Sequence, residues 1–169
     1  RSRIFTYDSE GNLLYVNGDK GYQSDRFNQG VALSYLNDNL LVLDASGSIV
    51  VYRPTEFGES VNKAVELHYN GQFEEAAELW EKVLKLNTNY EVAYNGIGKY
   101  HLRLGNYKEA MANFKLGHDQ FYYSKAFKNH RNQIIKKNFT WIFMGVIVLV
   151  ISIPVYKNRK KIFRKRGDQ

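Results

Sequence analysis

Between Phe139 and Tyr156 the chain runs for 18 residues without a charge (FTWIFMGVIVLVISIPVY), and this run constrains the fold more than any other feature. As a helix rising 1.5 Å per residue it is about 27 Å long, close to the thickness of a bilayer's hydrocarbon layer. Trp141 and Tyr156 stand near its two ends, where amphipathic rings favour the headgroup layer. Pro154 falls in the last turn, where a broken backbone hydrogen bond lies near the interface. A buried core helix is the alternative, but the run has no polar side and a basic tail follows at once. The expectation is a transmembrane helix over residues 139–156.

The flanks set its orientation. Residues 157–166 hold seven cations, and residues 125–139 hold five: Lys125, Lys128, Arg131, Lys136 and Lys137. By the positive-inside rule the denser cluster stays in the cytoplasm, so the expectation is a single-pass plasma-membrane protein with an extracytoplasmic amino-terminal body and a cytoplasmic tail over 157–169. The inverse, a tail-anchored protein with a cytoplasmic body, remains open. Because the first residue is Arg1 and not Met, the sequence reads as a piece of a longer or processed protein.

The formal charge of +7 invites a nucleic-acid reading, but its placement argues against one. Residues 1–56 and 57–124 each carry a net charge of −2, so the excess is confined to the two sides of the apolar run. There is no cysteine, which excludes disulfides, thiolate zinc sites and a cysteine nucleophile. The four histidines, His68, His101, His118 and His130, show no metal-ligand spacing. Gly96-Ile97-Gly98 begins like a dinucleotide loop, but His101 stands where the third glycine belongs, and close helix packing explains the pair better. No phosphate loop, nucleophile elbow or zinc-protease motif is present. The expectation is a non-enzymatic binding protein with no cofactor.

Laid on itself with a shift of 34 residues, the sequence pairs Gly71 with Gly105, Phe73 with Tyr107, Glu75 with Glu109, Ala76 with Ala110 and Trp80 with Phe114. A glycine that ends one helix in a left-handed conformation, a small residue at the helix crossing and an aromatic in the next seam are what a stacked helical hairpin needs. These repeats resemble the tetratricopeptide family over about 68 residues, matching its characteristic period. The resemblance predicts helices near Glu59–Asn70, Phe73–Leu86, Glu91–Leu104 and Tyr107–Gln120, with a capping helix over 124–138 started by Ser124. Thr88 and Gly117 depart from the family pattern, which has proline and alanine there. The resemblance further implies a groove lined by Val61, Val65, His68, Tyr69, Val92, Asn95, Lys99, Leu102 and Arg103. Lys99 and Arg103 would pair acidic groups of a partner protein or peptide while the valines bury aliphatic ones. Glu74, Glu78 and Glu81 with Lys82 and Lys85 read as i, i+4 pairs on a solvated face.

Residues 1–56 change to short alternating strands, Arg3–Tyr7, Leu13–Val16, Val31–Tyr35, Asn39–Asp44 and Ile49–Arg53, separated by turn-forming clusters such as Asp8-Ser9-Glu10-Gly11-Asn12. A shift of 45 residues sets Ile4 on Ile49 and Tyr7 on Tyr52, the period of a propeller blade. "YDSEGNLLYV" and "GVALSYLNDNLLVLDASGSIVVYRPTEFG" resemble NHL-type β-propeller repeats, the second a terminal blade. Pro54 to Gly58 reads as the boundary. The fold class expected is therefore mainly α: tetratricopeptide hairpins with a capping helix over 57–138 and a transmembrane helix, preceded by an antiparallel β segment over 1–56. That arrangement resembles bacterial surface proteins labelled NHL-repeat proteins, associated with transport systems. It implies a membrane-anchored scaffold or accessory to a membrane transport complex. The alternatives are the anchor region of a gluconolactonase-like propeller enzyme and a surface ligand-binding receptor.

Overall fold

A computed structural model describes residues 2–21 and 23–166, with side chains through Pro154. Arg1 and residues 167–169, the end of the basic tail, lie outside the described residues, as do the Tyr156 ring and the side chains of the cations at 157–166. The protein is mostly helical, with a small antiparallel sheet region and one long apolar C-terminal helix. It divides into two units, Arg1–Ala126 and Phe127–Gln169.

The first unit begins with a hairpin of β1 (Ile4–Tyr7) and β2 (Leu13–Asn17). Its turn is built by Asp8, whose carboxylate accepts the backbone N–H of Glu10 and Asn12 and the Asn12 side-chain amide at 2.8–2.9 Å. Pairing runs Thr6 with Tyr15 and then Tyr7 with Leu13, so Leu14 is an extra, bulged residue on β2. A bulge re-aims a side chain out of the ladder's alternation.

A separate three-stranded sheet follows in the order β3 (Gly30–Leu36), β4 (Asn39–Asp44), β5 (Ile49–Tyr52). Phe27, Leu40, Val42 and Val50 form its core, with Ile4 and Tyr52 packed against them. Buried Asp44 ties the connection before β3 to the turn after β4: it accepts the N–H of Asn28 at 2.6 Å, Gln29 at 3.1 Å and Ser46 at 2.9 Å. These donors, Ser46 and Gln29 foremost, hold its carboxyl down at about 2 against the opposing effect of burial.

Four helices complete the unit: α1 (Glu56–Tyr69), α2 (Phe73–Leu86), α3 (Glu91–Leu104) and α4 (Tyr107–Leu116), after which α5 (Gln120–Arg166) begins. The bounds of α2 and α3 are those expected. Gly71 and Gly105 follow α1 and α3 with φ of 81° and 78°, conformations that favour glycine. Other boundaries differ from expectation, and the helices expected at 124–138 and 139–156 are one, α5, which continues through Arg166 into the stretch read as the tail. The first helix starts three residues earlier, inside the stretch read as a boundary, because the Thr55 hydroxyl caps it by accepting the Gly58 N–H at 3.3 Å. α4 stops at Leu116, since Gly117 closes it and His118 takes a positive φ of 51°. α5 starts at Gln120 and not at Ser124, because the Asp119 carboxylate accepts the Tyr122 N–H at 2.9 Å. Lys82 pairs with Glu56 across α2 and α1 at 3.0 Å, rather than with Glu78 along its own helix.

The helices close around two aromatic seams. Trp80 of α2 lies against Gly96 of α3, where an added Cβ would collide with the indole. Phe114 of α4 lies against Gly98, where a Cβ would come within 2.7 Å of the ring. The glycine pair in α3 thus admits two large rings onto one helix. Gly117 has a comparable cause: a Cβ there would strike the Asn95 side chain, whose amide donates to the Gly117 carbonyl at 3.0 Å.

The second unit contains the rest of α5. Every side chain from Arg131 to Pro154 is exposed. Over Gln120–Pro154 this helix is long and apolar enough to cross a membrane.

Candidate functional site

The nine residues implied as a groove separate into three groups. Val65, His68 and Tyr69 of α1 and Val92, Asn95 and Lys99 of α3 line one cavity of about 40 Å³. Val61 is fully buried beneath them, in a core shared with Ala64, Trp80, Val83, Ala93 and Ile97. Leu102 and Arg103 do not line it. Leu102 packs against Ala110, Phe114 and Ala126, and the Arg103 guanidinium sits 3.7 Å from the centre of the Phe73 ring. Arg103 is therefore engaged in a cation–π contact with a ring that itself sits edge-on to His68, and its charge, like that of Lys99, acts on His68.

The groove has an occupant from the same chain. Leu14, the bulged residue of β2, is only 6% exposed and belongs to the core of Val61, Ala64, Trp80, Val83, Ala93 and Ile97. Burying a leucine this completely contributes about 1.5–3 kcal/mol. The Tyr90 hydroxyl donates to the Leu14 carbonyl at 2.9 Å, and the Tyr15 hydroxyl donates to Asn62 Oδ1 at 2.9 Å. Burial, and then the neighbouring Tyr15 and Asp8, push the Tyr90 phenol upward, so it stays a donor. At the turn, Lys99 Nζ meets Glu10 Oε2 at 2.6 Å. Asp8, Glu10 and Asn12 of that turn share the cavity wall with Trp80, Gly96 and Asp119.

His68 is half-buried, edge-on to the rings of Tyr69 and Phe73. Burial lowers its pKa first, Lys99 and then Arg103 lower it further, and Glu10 and Asp8 oppose them. Trp80 Nε1 and Asn95 Oδ1 are buried without a hydrogen-bond partner, and both residues line the cavity. Both atoms are packed against glycines, Trp80 Nε1 against Gly96 and Asn95 Oδ1 against Gly117, so the charged groups that line the cavity are Lys99 and the carboxylates of Asp8, Glu10 and Asp119, beside an aliphatic floor. Among the described residues no cluster of three histidine, aspartate or glutamate side chains could hold a metal.

Glu10 and Leu14 did not stand out in the sequence. The Asp8–Asn12 stretch reads only as a turn, and in Leu13-Leu14-Tyr15-Val16 nothing marks which leucine the bulge redirects. No protein-family model, curated protein or solved structure matches this chain.

Proposed function

We propose that this chain is the membrane-anchored part of a non-enzymatic scaffold, in which two tetratricopeptide-type hairpins dock a protein partner at the membrane surface. The observation that carries the reading is the groove between α1 and α3, which already holds an extended segment through an aliphatic anchor and an ion pair. Support for the repeat type comes from the two glycine–aromatic seams, Gly96 with Trp80 and Gly98 with Phe114, and from glycines of positive φ spaced 34 residues apart. Residues 139–156 serve as the anchor: the exposed apolar side chains from Phe139 to Ile153 are stable in lipid and costly in water. The cation excess beyond the span supports a cytoplasmic tail and an outer body. The β segment before the helices is read as the end of an NHL-like propeller, and the partner as part of a membrane complex, such as a transport system.

Crosslinking in intact cells followed by extraction in mild detergent tests this. One defined partner is expected at near-stoichiometric yield, and Lys99→Glu is expected to lose it. Recovery of no partner, or of one indifferent to Lys99→Glu, contradicts docking through the groove.

A further inference from the structure

The hairpin lying in the groove shows what the groove selects. Resting on the scaffold reading, we infer that the partner presents the same pattern, an extended segment with an acidic side chain four residues ahead of an aliphatic anchor, and that it takes the hairpin's place.

Three contacts define that pattern. The hydrophobic floor accepts the Leu14 side chain, Lys99 accepts an acid at the position of Glu10, and Tyr90 donates to a main-chain carbonyl, which any sequence supplies. Among the described residues, no backbone–backbone hydrogen bond joins β1 or β2 to the helices. The hairpin's ladder is satisfied internally and its attachment is made by side chains, so release leaves its backbone pairing intact. A partner segment must outcompete a hairpin whose covalent attachment gives it a high effective concentration.

The test uses the full chain in detergent and a fluorescent, cyclised peptide with the sequence of residues 4–17, read by anisotropy. Wild-type protein is expected to bind the peptide weakly, because the resident competes. Leu14→Ala removes the resident's anchor and is expected to tighten peptide binding at least tenfold. A peptide carrying E10K is expected to lose at least tenfold on the L14A chain and to recover on an L14A/K99E chain. Equal affinity for wild-type and L14A chains, no binding to either, or indifference to the charge exchange overturns the inference. Should circular dichroism show that the L14A chain does not fold, the E10K chain, which leaves Lys99 unpaired, replaces it. The wild-type peptide must then bind that chain more tightly than wild-type protein, and equal or absent binding overturns the inference. A partner recovered by crosslinking from cells without peptide binding here refutes the displacement while leaving the scaffold standing. Peptide binding without any cellular partner does the reverse.

Discussion

Phe114 and Phe143 are the same residue on helices of similar regularity, yet Phe114 is fully buried and Phe143 is 55% exposed. The contrast extends to their surroundings. In the helical body the buried rings meet small residues: Trp80 meets Gly96, Phe114 meets Gly98, and Ala64 and Ala93 share a cluster with Val61 and Ile97. In the apolar stretch of α5 every side chain is exposed, Phe139 and Phe143 stack only on each other, and an added Cβ on Gly145 has no neighbour within 4 Å. Apolar content alone does not distinguish the two regions. Spacing does: one pattern fits a protein interior, and the other fits a surrounding that is apolar on all sides.

Substitutions that act on one region and spare the other can break that contrast. Phe114→Ala removes the ring from its seam and is expected to cost the first unit about 3–5 kcal/mol, seen as a lower midpoint in thermal unfolding, with membrane partitioning unchanged. Leu149→Arg is expected to oppose insertion by about 3 kcal/mol, moving chain from the membrane to the soluble or degraded fraction while the helical body melts as before. Gly98→Ala drives a methyl group into the Phe114 ring and is expected to cost about 1–3 kcal/mol, whereas Gly145→Ala, with open space around it, is expected to cost nothing measurable. Equal effects at the two glycines contradict the distinction.

The smallest effect concerns acid. Because the folded chain holds the Asp44 carboxyl at about 2, below its ordinary value, the unfolded chain takes up the proton first as pH falls. The stability this group contributes is therefore complete above about pH 4 and is lost between about pH 4 and pH 2. Asp44→Asn is expected to be less stable at pH 7 and to show a flatter acid-unfolding curve across that interval. An unchanged slope would mean that Asp44 is not the linked group.

Local signals account for what could be read in advance. The bounds of α2 and α3 followed from Gly71, Gly105, Phe73 and the spacing of apolar residues, all of which act within a turn or two. The start of α1 was hidden because Pro54-Thr55 resembles a linker, although a threonine after a proline is also a good cap. The start of α5 was misplaced because Asp119, Ser124 and their neighbours offer competing caps, and only the three-dimensional path selects Asp119. In the groove, the α1 and α3 residues were accessible through the repeat register, whereas the hairpin's part in it rests on one bulge and on contacts 89 residues apart in sequence for Lys99 and Glu10. Arg103 is a related case: spacing puts it on the same helix as Lys99, and only the structure shows its guanidinium on Phe73.

Alkaline carbonate extraction of membranes from cells expressing the chain is the most direct measurement of whether α5 resides in lipid. The chain is expected in the pellet through carbonate and high salt, with release only by detergent. Its appearance in the supernatant of detergent-free lysis, with the helical body folded, would contradict the account.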